Sequence, residues 1–449
     1  MRASLLAVVT VLTLVLITPH ASADLEAYVA KPDDSFEFKL HAVESVGLAK
    51  AHILRVTSQT WQGEAWTHWV TVYVPNNIKR SGYGLMLING GNNGNEAKFK
   101  EGQAAVLGQL AAVTGSIMIN LEQVPNQPLF GDMTEDEIIS YSFDQYLADK
   151  GDDWPLLLPM TKSAVRAMDA VQAYTRDELK NEVDKFFVTG GSKRGWTTWL
   201  SAVVDDRVFG IAPVVIDTLN MSEQTVHQLK SYGKYSEMIQ DYTDRDIQSS
   251  RDSERGVSLT QMVDPISYCN ELTLPKLLVM GTNDPYWCAD SANLYIQDLQ
   301  GETHLYYGAN TGHDINLNGV ATVTKFYENL IDGQSMPEYE WTNNDDGSLT
   351  VTWKGDGAKP LLWKATASGR DFRKSEWTSE PLEGDGEVTV TVDEPEDGWV
   401  AYYVELSYKG GIAPYGVCTN VTVLPDRYPF ADLTHEEFRS RVTTAGSGE

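Results

Sequence analysis

Short, largely apolar runs recur through the first two thirds of the chain: YGLMLI, SIMINL, KFFVTG, GIAPVVID, PKLLVMG and THLYYG. A half-solvated strand alternates apolar with polar residues. A run apolar on both sides must be covered on both faces, as in a parallel sheet flanked by crossover helices. Between the runs lie stretches of helical spacing, among them EAKFKEGQAAVLGQLAAVTG and segments near 134–149 and 160–175. This alternation predicts an α/β domain with a mostly parallel sheet. Two alternating segments ahead of it, AHILRVTSQTW and AWTHWVTVYVP, read as antiparallel strands at one edge.

The texture changes near residue 335, where SLTVTW, PLLWKATA, EVTVTV, WVAYYVELSY and GVCTNVTVLP follow one another between Gly, Asp and Pro turns. The expectation is a β-sandwich over 335–430, with Trp341, Trp353, Trp363, Trp377 and Trp399 in its core, and a tail over 431–449. At the other end, Arg2 precedes an apolar run from Leu5 to Ile17 and a small-residue Ala21-Ser22-Ala23 site. Residues 1–23 therefore read as a secretory signal, leaving 24–334 for the α/β domain and placing the protein outside the cytoplasm. Acidic residues outnumber basic ones 63 to 35, and a formal charge of -28 with no basic patch excludes nucleic acid as a partner. No later run reaches the length of a membrane span, so stable insertion is not expected. Cys269 and Cys288 flank the strand LPKLLVMGTN and are expected to form a disulfide that pins the following loop.

The segment DKFFVTGGSKRGWTTWL carries a strand directly into a Gly-Gly-Ser turn and a helix, with Ser192 at the apex. A serine hydroxyl becomes a nucleophile only where a base takes its proton, an acid orients the base, and donors receive the oxyanion. In an α/β-hydrolase these parts follow strands in a fixed order, and the chain can be tested for that order. LINGGNNGNE supplies a glycine-rich loop whose Gly91 and Asn92, with the N–H of Lys193, are expected oxyanion donors. GTNDPYW delivers Asp284 after a late strand and TGHD delivers His313 after the next. Asp217, at the end of GIAPVVID, is an alternative acid. One irregularity stands out: Arg194 occupies the place of the second glycine in GxSxG, and Gly195 comes a residue later. The polar helical stretch of about 218–264 is expected to form a lid, and Trp196, Tyr286 and Trp287 an aromatic pocket wall. With no HExxH, CxxC pair or EF-hand loop, neither metal nor other cofactor is expected.

Taken together, INGGNN, LEQVPNQPLFGD, EDEIISYSFDQYL, WPLLLPMTKSAVRAMDAVQ, VTGGSKRGWTTWL, VVIDTLNM, MVDPISY, GTNDPYW and TGHDI resemble the PhoPQ-activated pathogenicity-related protein family over about residues 25–430. The resemblance implies a secreted or periplasmic α/β-hydrolase-like domain followed by an immunoglobulin-like domain, with Ser192, Asp284 and His313 at the nucleophile, acid and base positions. It implies no particular substrate. The elbow alone also resembles that of glucuronoyl esterases, where arginine stands in place of Lys193, and implies that Lys193 serves an oxyanion or a substrate carboxylate. The expected function is thus a secreted serine hydrolase acting on an ester or peptide. Two alternatives are a signalling or virulence factor that binds a cell-surface partner, and a carbohydrate esterase of the glucuronoyl type.

Overall fold

The computed structural model describes residues 24–344 and 346–446; the expected signal segment lies outside them. Nine strands form the first part of the sheet: β1 (Glu37–Val46), β2 (Ala49–Trp61), β3 (Glu64–Pro75), β4 (Tyr83–Ile88), β5 (Ile117–Leu121), β6 (Lys185–Gly191), β7 (Val208–Val214), β8 (Lys276–Gly281) and β9 (Thr303–Gly308). Their spatial order is β1-β2-β3-β5-β4-β6-β7-β8-β9. From β5 through β9 every pairing is parallel, and β5 and β8 are buried along their whole length, as their unbroken apolar runs require. β1, β2 and β3 form an antiparallel meander that joins β5 antiparallel.

Helices α1 (Leu25–Ala30), α2 (Gly102–Thr114), α3 (Glu135–Leu147), α4 (Leu157–Asp177) and α5 (Lys193–Val204) lie within this first part of the chain. α6 (Met221–Tyr232), α7 (Gln240–Asp244) and α8 (Glu254–Val263) occupy the expected lid, and α9 (Leu317–Ile331) follows β9. α5 buries Trp196, Trp199 and Leu200, spaced i, i+3 and i+4, and packs on β6 and β7. That packing fixes where the β6–α5 turn stands.

The sheet is mixed rather than mostly parallel, and it does not stop at β9. The C-terminal strands are β10 (Tyr339–Asn343), β11 (Leu349–Trp353), β12 (Lys359–Ala367), β13 (Thr378–Pro381), β14 (Glu387–Val390), β15 (Trp399–Tyr408), β16 (Tyr415–Cys418) and β17 (Thr422–Leu424). β16 pairs antiparallel with β9, Cys418 opposite Leu305, and the same sheet runs on through β15, β12 and β13. β10, β11 and β14 make a separate three-stranded sheet. β9 without β16 would present a row of unpaired N–H and C=O groups, and the C-terminal strands cover that edge. One apolar core runs from Leu25 to Val423, so both halves of the chain share it. The chain closes with α10 (His435–Gly446).

The expected Cys269–Cys288 disulfide is absent: both cysteines are free thiols. Cys288 is buried beside His227 and Asp290, with the ligand-type atoms of all three within 4.8 Å, whereas Cys269 sits half-buried at the end of a 3-10 turn. The Cys288 sulfur lies instead in this buried cluster, beside His227 and Tyr232.

Candidate active site

β6 ends and α5 begins around one residue. Ser192 occupies that joint with φ 58° and ψ −132°, a region whose occupation costs a non-glycine residue roughly 1–3 kcal/mol. Its N–H donates to the Val214 carbonyl at 2.8 Å and its carbonyl accepts from the Trp196 N–H at 3.0 Å, so neighbouring structure holds the bend from both sides. The glycines around it are demanded by contact. A Cβ on Gly190 would lie 2.7 Å from the Arg194 carbonyl, and one on Gly195 would lie 2.5 Å from Ile216 Cγ2 and 2.8 Å from the Gly190 carbonyl. Gly195 is therefore the residue that lets the helix approach the strands, which accounts for the shifted GxSxxG spacing.

Arg194 is free to be large because its side chain leaves that contact. Its Nε donates to the Val124 carbonyl at 2.5 Å, and its guanidinium pairs with both Glu135 oxygens at 2.8 and 2.7 Å. Lys193 is almost fully buried and sends its ammonium to Glu135 Oε2 at 2.9 Å and Asp136 Oδ2 at 3.4 Å. Burial alone would raise the Glu135 pKa, but Arg194 and Lys193 outweigh it and hold the carboxyl at about 2. Asp136 also accepts the hydroxyls of Tyr242 at 3.1 Å and Tyr286 at 2.9 Å. Sequence reasoning missed this ionic knot. Its signal was the acid run of EDEIISYSFDQYL opening α3, to be matched with the Lys-Arg pair opening α5.

On the far side of the cavity, the loop after β9 presents His313. Its Nδ1 lies 2.8 Å from Asp284 Oδ2, and Asp284, buried after β8, accepts the Tyr286 N–H on its other oxygen at 2.9 Å. Both oxygens of that carboxylate are thus committed. The Tyr286 ring packs over the imidazole with centroids 4.4 Å apart. His313 Nε2, across the ring, has no protein partner among the described residues. Ser192 and His313 line one cavity of about 150 Å³, together with Trp196, Tyr286 and Trp287. No hydrogen bond joins the Ser192 hydroxyl to that nitrogen.

The other expected residues have the following surroundings. Gly91 and Asn92 are not among the residues lining the cavity. Gln123 donates its side-chain amide to the Asn92 carbonyl at 2.9 Å and Gln127 donates to Asn92 Oδ1 at 3.2 Å, which anchors the loop. The N–H of Lys193, first residue of α5, is the expected oxyanion donor that the fold keeps beside Ser192; a helix leaves that group without an internal partner. Asp217 accepts the Tyr295 hydroxyl at 2.5 Å rather than His313, and burial lifts its pKa to about 7.

His227, Cys288 and Asp290 form the group of metal-type ligands among the described residues. Their atoms are already engaged: His227 Nε2 meets Asp290 at 2.9 Å, His227 Nδ1 meets the Tyr428 hydroxyl at 3.0 Å, and Arg370 pairs with the other Asp290 oxygen at 2.5 Å. Burial works against the Asp290 charge, yet His227 and Arg370 hold its pKa well below the ordinary range. The cluster reads as an internal ion network joining the two halves of the chain.

A strand-turn-helix serine and a histidine-aspartate pair, each placed after one of the parallel strands of a mixed sheet, define a protein of the α/β-hydrolase fold. In agreement, the acetyl xylan esterase 1 of Thermoanaerobacterium sp. JW/SL YS485 superposes with a TM-score of 0.50 at 15% identity, over 68% of this chain and 92% of that one. A glucuronoyl esterase from Solibacter usitatus aligns with a TM-score of 0.40 at 14% identity, over 66% and 86%. The chain belongs to the PhoPQ-activated pathogenicity-related protein family, whose model matches residues 25–373. It is also 29% identical over 470 residues, 94% of each chain, to autocrine proliferation repressor protein A of Dictyostelium discoideum.

Proposed function

We propose that this protein is an exported serine hydrolase that cleaves carboxylic esters by acyl transfer. The Ser192 hydroxyl attacks the carbonyl, His313 Nε2 takes its proton, and Asp284 holds Nδ1–H so that the other nitrogen stays basic. The Lys193 N–H donates to the oxyanion. His313 then returns the proton to the departing alcohol, and water repeats the sequence to free Ser192. The observation that carries this reading is the pairing of a strained, cavity-facing Ser192 with an imidazole whose far nitrogen alone is tied to a buried carboxylate.

The test is covalent labelling with a fluorophosphonate followed by peptide mapping. Label on Ser192, abolished by Ser192→Ala together with a fall of several orders of magnitude in p-nitrophenyl ester turnover, is the expected result. Label or turnover that survives the substitution rejects the assignment. Export rests on the leader reading of residues 1–23, and N-terminal sequencing of the mature protein, expected to begin at Asp24, decides it.

A further inference from the structure

The wall of the cavity in front of Ser192 is built almost wholly of carbon. Trp196 and Ile216 come from the sheet side, Met221, Leu259 and Val263 from the lid, and Trp287 from the loop after β8. The charged groups beside them already have partners, Arg251 pairing with Asp252 at 3.2 Å. The Lys193 ammonium is held by Glu135 and Asp136, and Asp136 by two tyrosine hydroxyls. Among the polar neighbours, Gln224 donates to the Leu219 and Ser291 carbonyls and Gln228 to that of Tyr286, while Gln224 Oε1, Gln248 Oε1 and Trp287 Nε1 are isolated polar atoms in a lining that is otherwise mostly apolar. A uronate would therefore meet two cations, Lys193 and Arg251, that already hold carboxylate partners, and an acetyl group would leave most of the space unused.

Resting on the hydrolase reading above, we propose that the substrate carries an uncharged apolar group of about six carbons next to the scissile carbonyl, lodged in the cavity between α5 and the lid. A volume of about 150 Å³ matches such a group: an engineered apolar cavity of that size in another protein takes up benzene. Each methylene moved from water into such a wall is worth roughly a factor of four in binding. The occupant can be the acyl or the alcohol part, and the experiment separates them.

kcat/KM is measured for p-nitrophenyl acetate, butyrate and hexanoate, which extend the acyl side, and for ethyl and hexyl acetate, which extend the alcohol side. A rise of at least tenfold from the shortest to the six-carbon member in either series is expected and identifies the side; flat or falling profiles in both overturn the proposal. Leu259→Trp fills the cavity, and Thr225→Phe does so from α6 should the first variant fail to fold. Either one should lower the six-carbon to two-carbon ratio at least fivefold, and an unchanged ratio counts against this cavity as the binding place. Binding of methyl hexanoate, hexyl acetate and methyl acetate to Ser192→Ala protein, followed by tryptophan fluorescence, keeps the two readings apart. If the wild type takes no fluorophosphonate and cleaves no ester, the hydrolase reading fails while this arm still decides the pocket. Half-saturation by either six-carbon ester at a tenfold lower concentration than by methyl acetate supports it, and equal or absent binding of both rejects it.

Discussion

Two buried aspartates, Asp217 and Asp284, follow adjacent strands, and their partners separate their roles. Asp284 meets His313; Asp217 meets the Tyr295 hydroxyl. Asp284→Asn should lower kcat by about 10⁴, because an amide in that place favours the wrong imidazole tautomer, while Asp217→Asn should leave it within severalfold in the same ester assay. The second variant has a stability signature instead. Burial raises the Asp217 pKa to about 7, so between the ordinary carboxylate range and pH 7 the folded state keeps a proton that the unfolded chain has released. Stability contributed by this group accordingly falls as pH rises through that window and stays low above it. Asp217→Asn removes the fall: its Tm should exceed that of the wild type by a few degrees at pH 8 and converge with it near pH 4. Equal Tm differences at both pH values would refute the burial argument. From the sequence, both acids were visible after their strands, but the choice between them depended on which loop bends toward residue 313.

The turn between β6 and α5 was legible as an element because its strand, glycines and helical apolar spacing all agree. Its partner was not. Cations in the first turn of a helix oppose the helix dipole, so Lys193 and Arg194 need nearby anions, and α3 brings Glu135 and Asp136 to them from nearly sixty residues upstream. No local pattern announces a pairing at that separation. Glu135→Gln leaves two largely buried cations with one carboxylate between them. Since Glu135 is itself 39% exposed, solvent screening discounts the loss, which should be about 1–3 kcal/mol in urea unfolding at pH 7. The interaction has its own pH window. With a depressed folded pKa near 2, Glu135 contributes fully above the ordinary glutamate range and loses that contribution as pH falls through about 2. The difference between wild type and variant should therefore shrink on acidification, and one that grows would show that the charge pairing is not its source.

At the scale of the whole molecule, alternation and turn residues disclosed the C-terminal strands, whereas their pairing with β9 depends on a register across more than a hundred residues and left no local mark. That pairing places the C-terminal segment against the loops that carry Asp284 and His313. Asn283, beside Asp284, donates to the Ser375 carbonyl at 2.7 Å, and Asn310, three residues before His313, exchanges hydrogen bonds of 2.8 Å with both the carbonyl and the N–H of Trp377. Arg370 reaches Asp290 and Arg373 reaches Glu237 in the lid region. A chain ending at residue 334 would lose these supports and bare the edge of β9 with its share of a continuous core. It should aggregate or form a soluble species with weakened near-ultraviolet circular dichroism and no fluorophosphonate labelling. Asn310→Ala probes the same support within the full chain: loosening the loop of His313 should lower kcat by about tenfold with KM nearly unchanged, since the reacting geometry suffers while the cavity wall does not. A truncated chain that is monomeric, cooperatively folded and labelled at the wild-type rate would mean that the C-terminal strands rest on the α/β half without supporting it.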